Sequence, residues 1–299
     1  MVRAGLEPAI ASAVITSVEV LDERALTRHD PARGDFAALL TGRRMLGAAR
    51  RGKFLWVPLA HRGATTGGDD AVLLHLGMSG QVLLREAGAP LERHARVRLV
   101  VEHPVHGEVA VHFVDQRMFG SLAIDRLVAT SDGAAGGFGV ELASVPSQVA
   151  HIARDPLDPA FDDGRFLRTL AARRTTVKRA LLDQTLISGV GNIYADEALW
   201  ASRVHFDQPT ATLSRRKASR LLAEVRAVLH KALAEGGTSF DAQYVNVNGA
   251  SGYFAHSLNA YGRQGLPCPR CGTPMMRASF MNRSSHYCPR CQRVRVPRG

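Results

Sequence analysis

The hydrophobic period of this chain changes from about two residues to about 3.6 part-way along its length, and no single layer of sheet or helix accommodates both. Up to residue 125 the apolar residues fall in short β-branched or aliphatic runs: VITSVEV (14–20), KFLWVPL (53–59), AVLLHL (71–76), ARVRLVV (95–101), EVAVHFV (108–114) and GSLAI (120–124). Most alternate, and Gly, Pro or Asp punctuate them, as half-buried strands require. Strands at this spacing indicate a sandwich or barrel. RGATTGGDD (62–70) reads as a polar loop, and TSDGAAGGFG (130–139) as a second soft stretch. The prolines of the following PSQVAHIARDPLDPAF argue for a linker. Helical periodicity then takes over, at 163–172, 176–187, 192–202 and 214–235. In the last of these Ala218, Leu221, Leu222, Val225, Val228, Leu229, Ala232 and Leu233 form one apolar stripe, with Ser214 to cap its start and Gly236-Gly237 its end. The chain shows no internal repeat, and its length leaves room for roughly two domains with real cores.

All four cysteines lie after residue 267, as CPRC at 268–271 and CPRC at 288–291. A secreted disulfide scaffold would spread its cysteines through a much shorter chain. Two C-x2-C knuckles separated by a hairpin-sized segment instead place four thiolates around one zinc. A redox-active CxxC belongs in a βαβ context, which is absent here. The segment between them, GTPMMRASFMNRSSHY, suits a β-hairpin with its turn near Asn282-Arg283. Cys268, Cys271, Cys288 and Cys291 are therefore the expected ligands of a single structural Zn2+, which orders a piece too small to have its own core.

Charge points to the partner. The net charge is +11 and the pI about 10.2, which favours a polyanion, nucleic acid before membrane. Arginine use can follow base composition, so its distribution is more informative than its total. From Ala242 to Gly299 there is no acidic residue, while arginines recur from Arg263 to Arg298. No apolar run is long enough to span a bilayer and no signal peptide is read, so the expected compartment is the cytoplasm.

Two further sets of residues carry chemistry. In ISGVGNIYADEAL (187–199), Gly189 and Gly191 permit a tight turn and Asn192 is placed to cap the following helix, with Asp196 and Glu197 near its dipole-favoured first turns. Such a turn offers free N–H groups to a phosphate, and Arg173, Arg174 and Lys178 lie just upstream, although an ordinary helical hairpin has the same features. RRGKF (50–54), HLGMSG (75–80), LERHAR (91–96) and DQRMFG (115–120) are scattered through the strand region. Taken singly, Lys53 is a solvated edge residue, His94 structural, and Met78 and Phe119 core.

Together these motifs resemble the bacterial formamidopyrimidine-DNA glycosylase family. GVGNIYADEALW, SGYFAHSLNAYGRQG and the paired CPRC hairpin with NRSSHYCPRCQ carry the resemblance, and RRGKF, HLGMSG and DQRMFG fit it in the right order, from Val2 to about Val294. It implies an α+β multidomain fold: an N-terminal β-sandwich, a helix–two-turn–helix domain and a C-terminal zinc-finger β-hairpin, with DNA in the cleft between the two halves. The expected bounds are 1–143 for the catalytic sandwich, 144–160 for a linker, 161–255 for the helical DNA-binding domain and 256–299 for the zinc hairpin. The implied activity is excision of oxidised purines, chiefly 8-oxoguanine and formamidopyrimidines, from damaged double-stranded DNA, followed by strand cleavage. The damaged nucleotide is flipped out, because its glycosidic bond cannot be reached in the stack. A monomer is expected.

Residue roles carry over by position. Met78, Arg117 and Phe119 match the wedge that fills the vacated stack, offsetting an unstacking cost of a few kcal/mol. His94, Arg117, Arg173, Lys178 and Asn192 match DNA-contacting positions. Arg283 matches the residue that grips the phosphate and assists δ-elimination, and Lys53 the residue that transfers protons during β-elimination. Val2 to Leu6 are helix-compatible, and Pro8 is expected to stop the run. The family begins MPELPEVE before a run like VRAGLEP, so the resemblance implies about eight residues ahead of this stretch, with the N-terminal proline as Schiff-base nucleophile and the adjacent glutamate as general acid. A mis-assigned start, with a GTG valine codon read as the initiator, explains their absence from the chain as written, and a true truncation is the alternative. Two other functions stay open: an endonuclease VIII-type enzyme for oxidised pyrimidines, from which DQRMFG and the SGYF loop after Gly249 point away, and a non-catalytic protein that binds damaged DNA.

Overall fold

Along β6 (Ala95–His103) the side chains of Val97, Leu99, Val101 and His103 are buried and those between them are more exposed, so the period-two pattern becomes a one-sided strand. The computed structural model describes residues 2–236 and 257–294. They fall into two units, one ending at His151 and the other beginning at Ile152.

The first unit opens with α1 (Val2–Ile10) and β1 (Val14–Val20), followed by α2 (Phe36–Leu40). The remaining strands are β2 (Ala49–Arg51), β3 (Phe54–Leu59), β4 (Asp70–His75), β5 (Gln81–Glu86), β7 (Gly107–Val114), β8 (Ser121–Ala129) and β9 (Ser144–Pro146). They form two antiparallel sheets, ordered β1-β6-β7-β5 and β2-β3-β4-β8-β9. Ile15, Val97, Leu99 and Phe113 of the first sheet share one core with Leu55, Val57, Val72, Leu122 and Ile124 of the second. Of the two architectures open to the sequence, this is the sandwich. Each such side chain, fully buried, contributes about 1.5–3 kcal/mol.

Three sequence expectations change here. Helix α1 continues through Pro8 to Ile10. Proline removes one backbone hydrogen bond, but Leu6 and Ile10, one helical turn apart, are both buried in the sandwich core. The segment 144–160, expected as a linker, opens with β9, where Val145 pairs with Val128 and is buried; the boundary between the units falls within this segment. Strands β2 and β5 come from stretches too short or too polar to stand out by alternation.

The second unit contains α3 (Asp163–Ala172), α4 (Val177–Leu182), α5 (Asn192–Ser202), α6 (Arg215–Ala234) and the hairpin of β10 (Met276–Phe280) with β11 (Arg283–Tyr287). Asp162 caps α3 by accepting from Arg165 N, and Ser214 caps α6 by accepting from Lys217 N. The helix expected over 176–187 stops at Leu182, because the Asp183 carboxylate turns back to accept from the Thr185 N–H and hydroxyl. On α6, Ala218, Leu221, Leu222, Val225, Leu229 and Ala232 are buried, but Leu233 faces outward. Gly236 follows the helix with φ +78°, and Gly237 lies outside the described residues. Phe280 of the hairpin joins the helical core. Among the described residues no helix is long and apolar enough to cross a membrane.

Candidate nucleic-acid interface and metal centre

In the sandwich unit, two loops present side chains that a core would normally claim. Residues 76–80 join β4 to β5 and residues 115–120 join β7 to β8. Gly77 has φ +61°, and an added Cβ there would lie 2.5 Å from the Phe119 carbonyl carbon, so only glycine lets the loops approach this closely. Asp115, almost fully buried, ties them together: it accepts from Ser79 Oγ at 2.5 Å, Arg117 N at 3.1 Å and Gly120 N at 2.7 Å. Its own N–H donates to the His94 carbonyl at 3.0 Å. Held in this way, Met78 and Phe119 are 59% and 54% exposed, and the Arg117 guanidinium lies 5.0 Å from the Phe119 ring centre. Large apolar side chains fixed in solvent on a braced support mark a contact surface. The structure thus brings Met78, Arg117 and Phe119 together, with His94 beside them.

Lys53 is exposed in the turn from β2 to β3. Burial, then the positive charges of Arg28 and Lys53, push the His75 imidazole below its usual range. His75 Nδ1 faces Gly77 N at 3.2 Å, which makes that nitrogen the acceptor. His75 thus anchors the Met78 loop. Asp115, His75 and Arg28 were not singled out from the sequence, although DQRMFG and HLGMSG contain two of them.

In the helical unit, Lys178, expected on DNA, is fully buried. Its Nζ lies 2.6 Å from Asp196 Oδ1, donates to Ser285 Oγ at 2.7 Å and to the Ser284 carbonyl at 3.1 Å, and sits over the Phe280 ring. Burial pushes its pKa down, against the pull of Asp196, and the positive charge of Arg283 pushes the same way as burial. Asn192 is the first residue of α5 rather than its cap, and its Nδ2 donates to the same Ser284 carbonyl at 3.1 Å. Asp196 Oδ2 accepts from His286 N at 2.9 Å, and Glu197 accepts from the N–H groups of Asn259, Ala260 and Tyr261 at 2.8–2.9 Å. These two carboxylates bind neighbouring segments instead of the dipole of their own helix. Arg173 pairs with Asp183 and donates to Thr185 Oγ1 at 3.2 Å. Arg283 is exposed next to Ser284, the residue that Lys178 and Asn192 hold. The SGYF loop lies outside the described residues.

The four cysteine sulfurs lie within 4.8 Å of one another, with Cys271 Sγ 3.5 Å from those of both Cys288 and Cys291. A tetrahedron with Zn–S bonds of about 2.3 Å needs sulfurs about 3.8 Å apart, so the set fits one zinc and no disulfide is formed. The Thr273 hydroxyl and N–H lower the Cys271 thiol to about 6, whereas burial pushes Cys288 up to about 12. A dication is what lets all four be thiolates together. The knuckles are fixed to the end of α5. Arg270 stacks on Trp200 and donates to its carbonyl at 3.1 Å, while Gln292 links Cys288 N to the Val204 carbonyl at 2.8 and 2.9 Å.

Comparison with known proteins agrees with this layout. Family models described as the formamidopyrimidine-DNA glycosylase N-terminal domain, the formamidopyrimidine-DNA glycosylase H2TH domain and the zinc finger found in FPG and IleRS match residues 1–122, 152–243 and 265–294. The formamidopyrimidine-DNA glycosylase of Leifsonia xyli subsp. xyli is 62% identical over 294 residues, covering 98% of this chain and 97% of the relative. That of Thermobifida fusca is 54% identical over 296 residues, covering 98% and 95%. Among solved structures, the Lactococcus lactis Fpg complex with abasic-site DNA superposes with a TM-score of 0.77 at 27% identity, covering 98% of this chain and 97% of that one. The MutM (FPG) protein from Thermus thermophilus gives 0.75 at 34% identity, covering 97% and 96%.

Proposed function

This chain belongs to the formamidopyrimidine-DNA glycosylase family, and from that premise we propose that it is a base-excision-repair DNA glycosylase and AP lyase. Its substrate class is oxidised purines, 8-oxoguanine and formamidopyrimidines, in duplex DNA. The observation that carries the reading is the braced pair of exposed apolar side chains, Met78 and Phe119, with Arg117 stacked beside them. An extruded base leaves a gap, and refilling it offsets an unstacking cost of a few kcal/mol. Arg117 supplies hydrogen bonds to the base left unpaired, and His94 lies next to the same loop to meet a phosphate.

The family's N-terminal proline amine attacks C1′ and expels the base, with its glutamate as general acid, and β-elimination from the resulting Schiff base then cuts the strand. Lys53 moves protons near the phosphates. Arg283 grips the phosphate for δ-elimination. Arg173 and Asn192 meet the backbone on the helical side, and Lys178 acts by holding the Ser284 carbonyl that fixes the turn. Zinc, held by Cys268, Cys271, Cys288 and Cys291, supplies the charge that keeps the hairpin folded and takes no part in bond breaking. We place the protein in the cytoplasm, as a monomer on its DNA.

Borohydride trapping of the full-length protein on an 8-oxoguanine duplex tests this. A covalent adduct is expected with borohydride present, and strand cleavage in its absence. Binding without an adduct or cleavage would replace the enzyme reading with that of a non-catalytic damaged-DNA-binding protein.

A further inference from the structure

Where the end of α5, the start of α6 and the second cysteine knuckle meet, they enclose an open groove of about 790 Å³. Six cations line it, Arg203, Arg216, Lys217, Arg220, Arg290 and Arg293, and among the described residues no carboxylate does. Two physical features make this more than a solvated basic face. The first turn of α6 carries no acid, although a helix N-terminus favours negative charge. Arg216 stands there instead, an arrangement that the helix dipole opposes until an anion is bound. Second, the local negative charge is too small to account for the five arginines. Four thiolates on one zinc leave two net negative charges beside the groove, which Arg290 and Arg293 can offset. Arg220 is shared with Glu224 at 3.7 Å. Arg203 and Arg216 remain in excess.

We propose that this groove is a second phosphate site, which grips the backbone of duplex DNA without reading its sequence. It is separate from the hairpin turn that carries Arg283. Strand β11 is five residues long, so at about 3.3 Å per residue the turn and the knuckle stand roughly 16 Å apart along it. The lining selects the occupant. It contains no aromatic ring, so bases of a single strand have nothing to stack on. Apart from Val294 it offers no exposed apolar anchor for a protein partner. Five of the six cations are arginines, whose planar fork matches two phosphate oxygens at once. The site extends the footprint on undamaged duplex and so serves the search for lesions. The proposal rests on the reading that DNA is the partner.

The test compares the whole protein with the triple variant Arg203→Ala, Arg216→Ala, Arg220→Ala, and with a second in which the same three positions are lysine. Affinity is measured against salt on a long undamaged duplex and on a short duplex centred on the lesion. Each lost phosphate contact removes about 0.9 from the slope of log K against log salt, so the alanine variant should lose about two to three on the long duplex. The lysine variant should retain most of the slope, and adduct formation on the short duplex should be unchanged in both. An unchanged long-duplex slope in an alanine variant that keeps its zinc and its melting temperature overturns the proposal. So does equal loss on both duplexes, which makes the groove part of the lesion site. If the wild type forms no adduct yet the long-duplex slope still falls, the enzyme reading fails and the groove stands.

Discussion

Asp115 shows how much one carboxylate can organise. Its partner Ser79 lies 36 residues away, and through it two loops become one rigid support for Met78, Arg117 and Phe119. Asp115→Asn should therefore reduce single-turnover excision by about 10–100-fold, while leaving affinity for undamaged duplex nearly unchanged; an excision rate within twofold of wild type sinks this role. His75 gives a pH signature. Its folded-state pKa is depressed below the ordinary value of 6.5, so the unfolded chain takes up the proton first as pH falls. Stability from this group is present above that value and lost as pH falls through the folded one. Urea denaturation at pH 7 and pH 5 should show a larger loss for wild type than for His75→Gln, and equal losses would exclude His75 as the cause. The buried Lys178–Asp196 pair is the third case. Asp196→Asn leaves an ammonium without its counter-charge, at a cost of about 3–5 kcal/mol, which urea unfolding measures directly; a loss under about 1 kcal/mol contradicts the pairing.

At the scale of elements, the zinc hairpin depends on the helices it rests on as much as on its metal. Phe280 is in the helical core, Asp196 binds His286 N, and Gln292 ties Cys288 to the end of α5. Chelating the zinc, or substituting Cys271→Ser, should therefore release the Arg283 turn without unfolding the sandwich. The expected result is loss of lesion-duplex binding with far-ultraviolet β-sheet signal retained, and full binding in zinc-free protein would refute it. The elements also show what local sequence can and cannot say. The cysteine knuckles were legible because metal spacing is a short-range constraint. Helix α6 was legible because its stripe repeats over many turns. Helix α1 was misjudged at Pro8, because what holds it helical is burial of Leu6 and Ile10 against strands far along the chain.

For the whole molecule, the net charge of +11 predicts affinity for undamaged duplex that falls linearly in log salt. A salt-independent affinity would argue against phosphate contacts as its source. By itself the sequence determined the order of strand region, helices and hairpin and the four candidate zinc ligands, while the grouping of Met78, Arg117 and Phe119 came from the family resemblance. Periodicity, metal spacing and motif order are properties of neighbouring residues, so they can be read along the chain. Only the tertiary structure decided what the buried charges do. Asp196, read as a helix-dipole residue, binds a backbone N–H 90 residues away, and Lys178, read as a DNA contact, reaches a hydroxyl 107 residues away. A buried charge must find a partner or remain unstable. The chain position of that partner is set by how the elements pack, which no local pattern records.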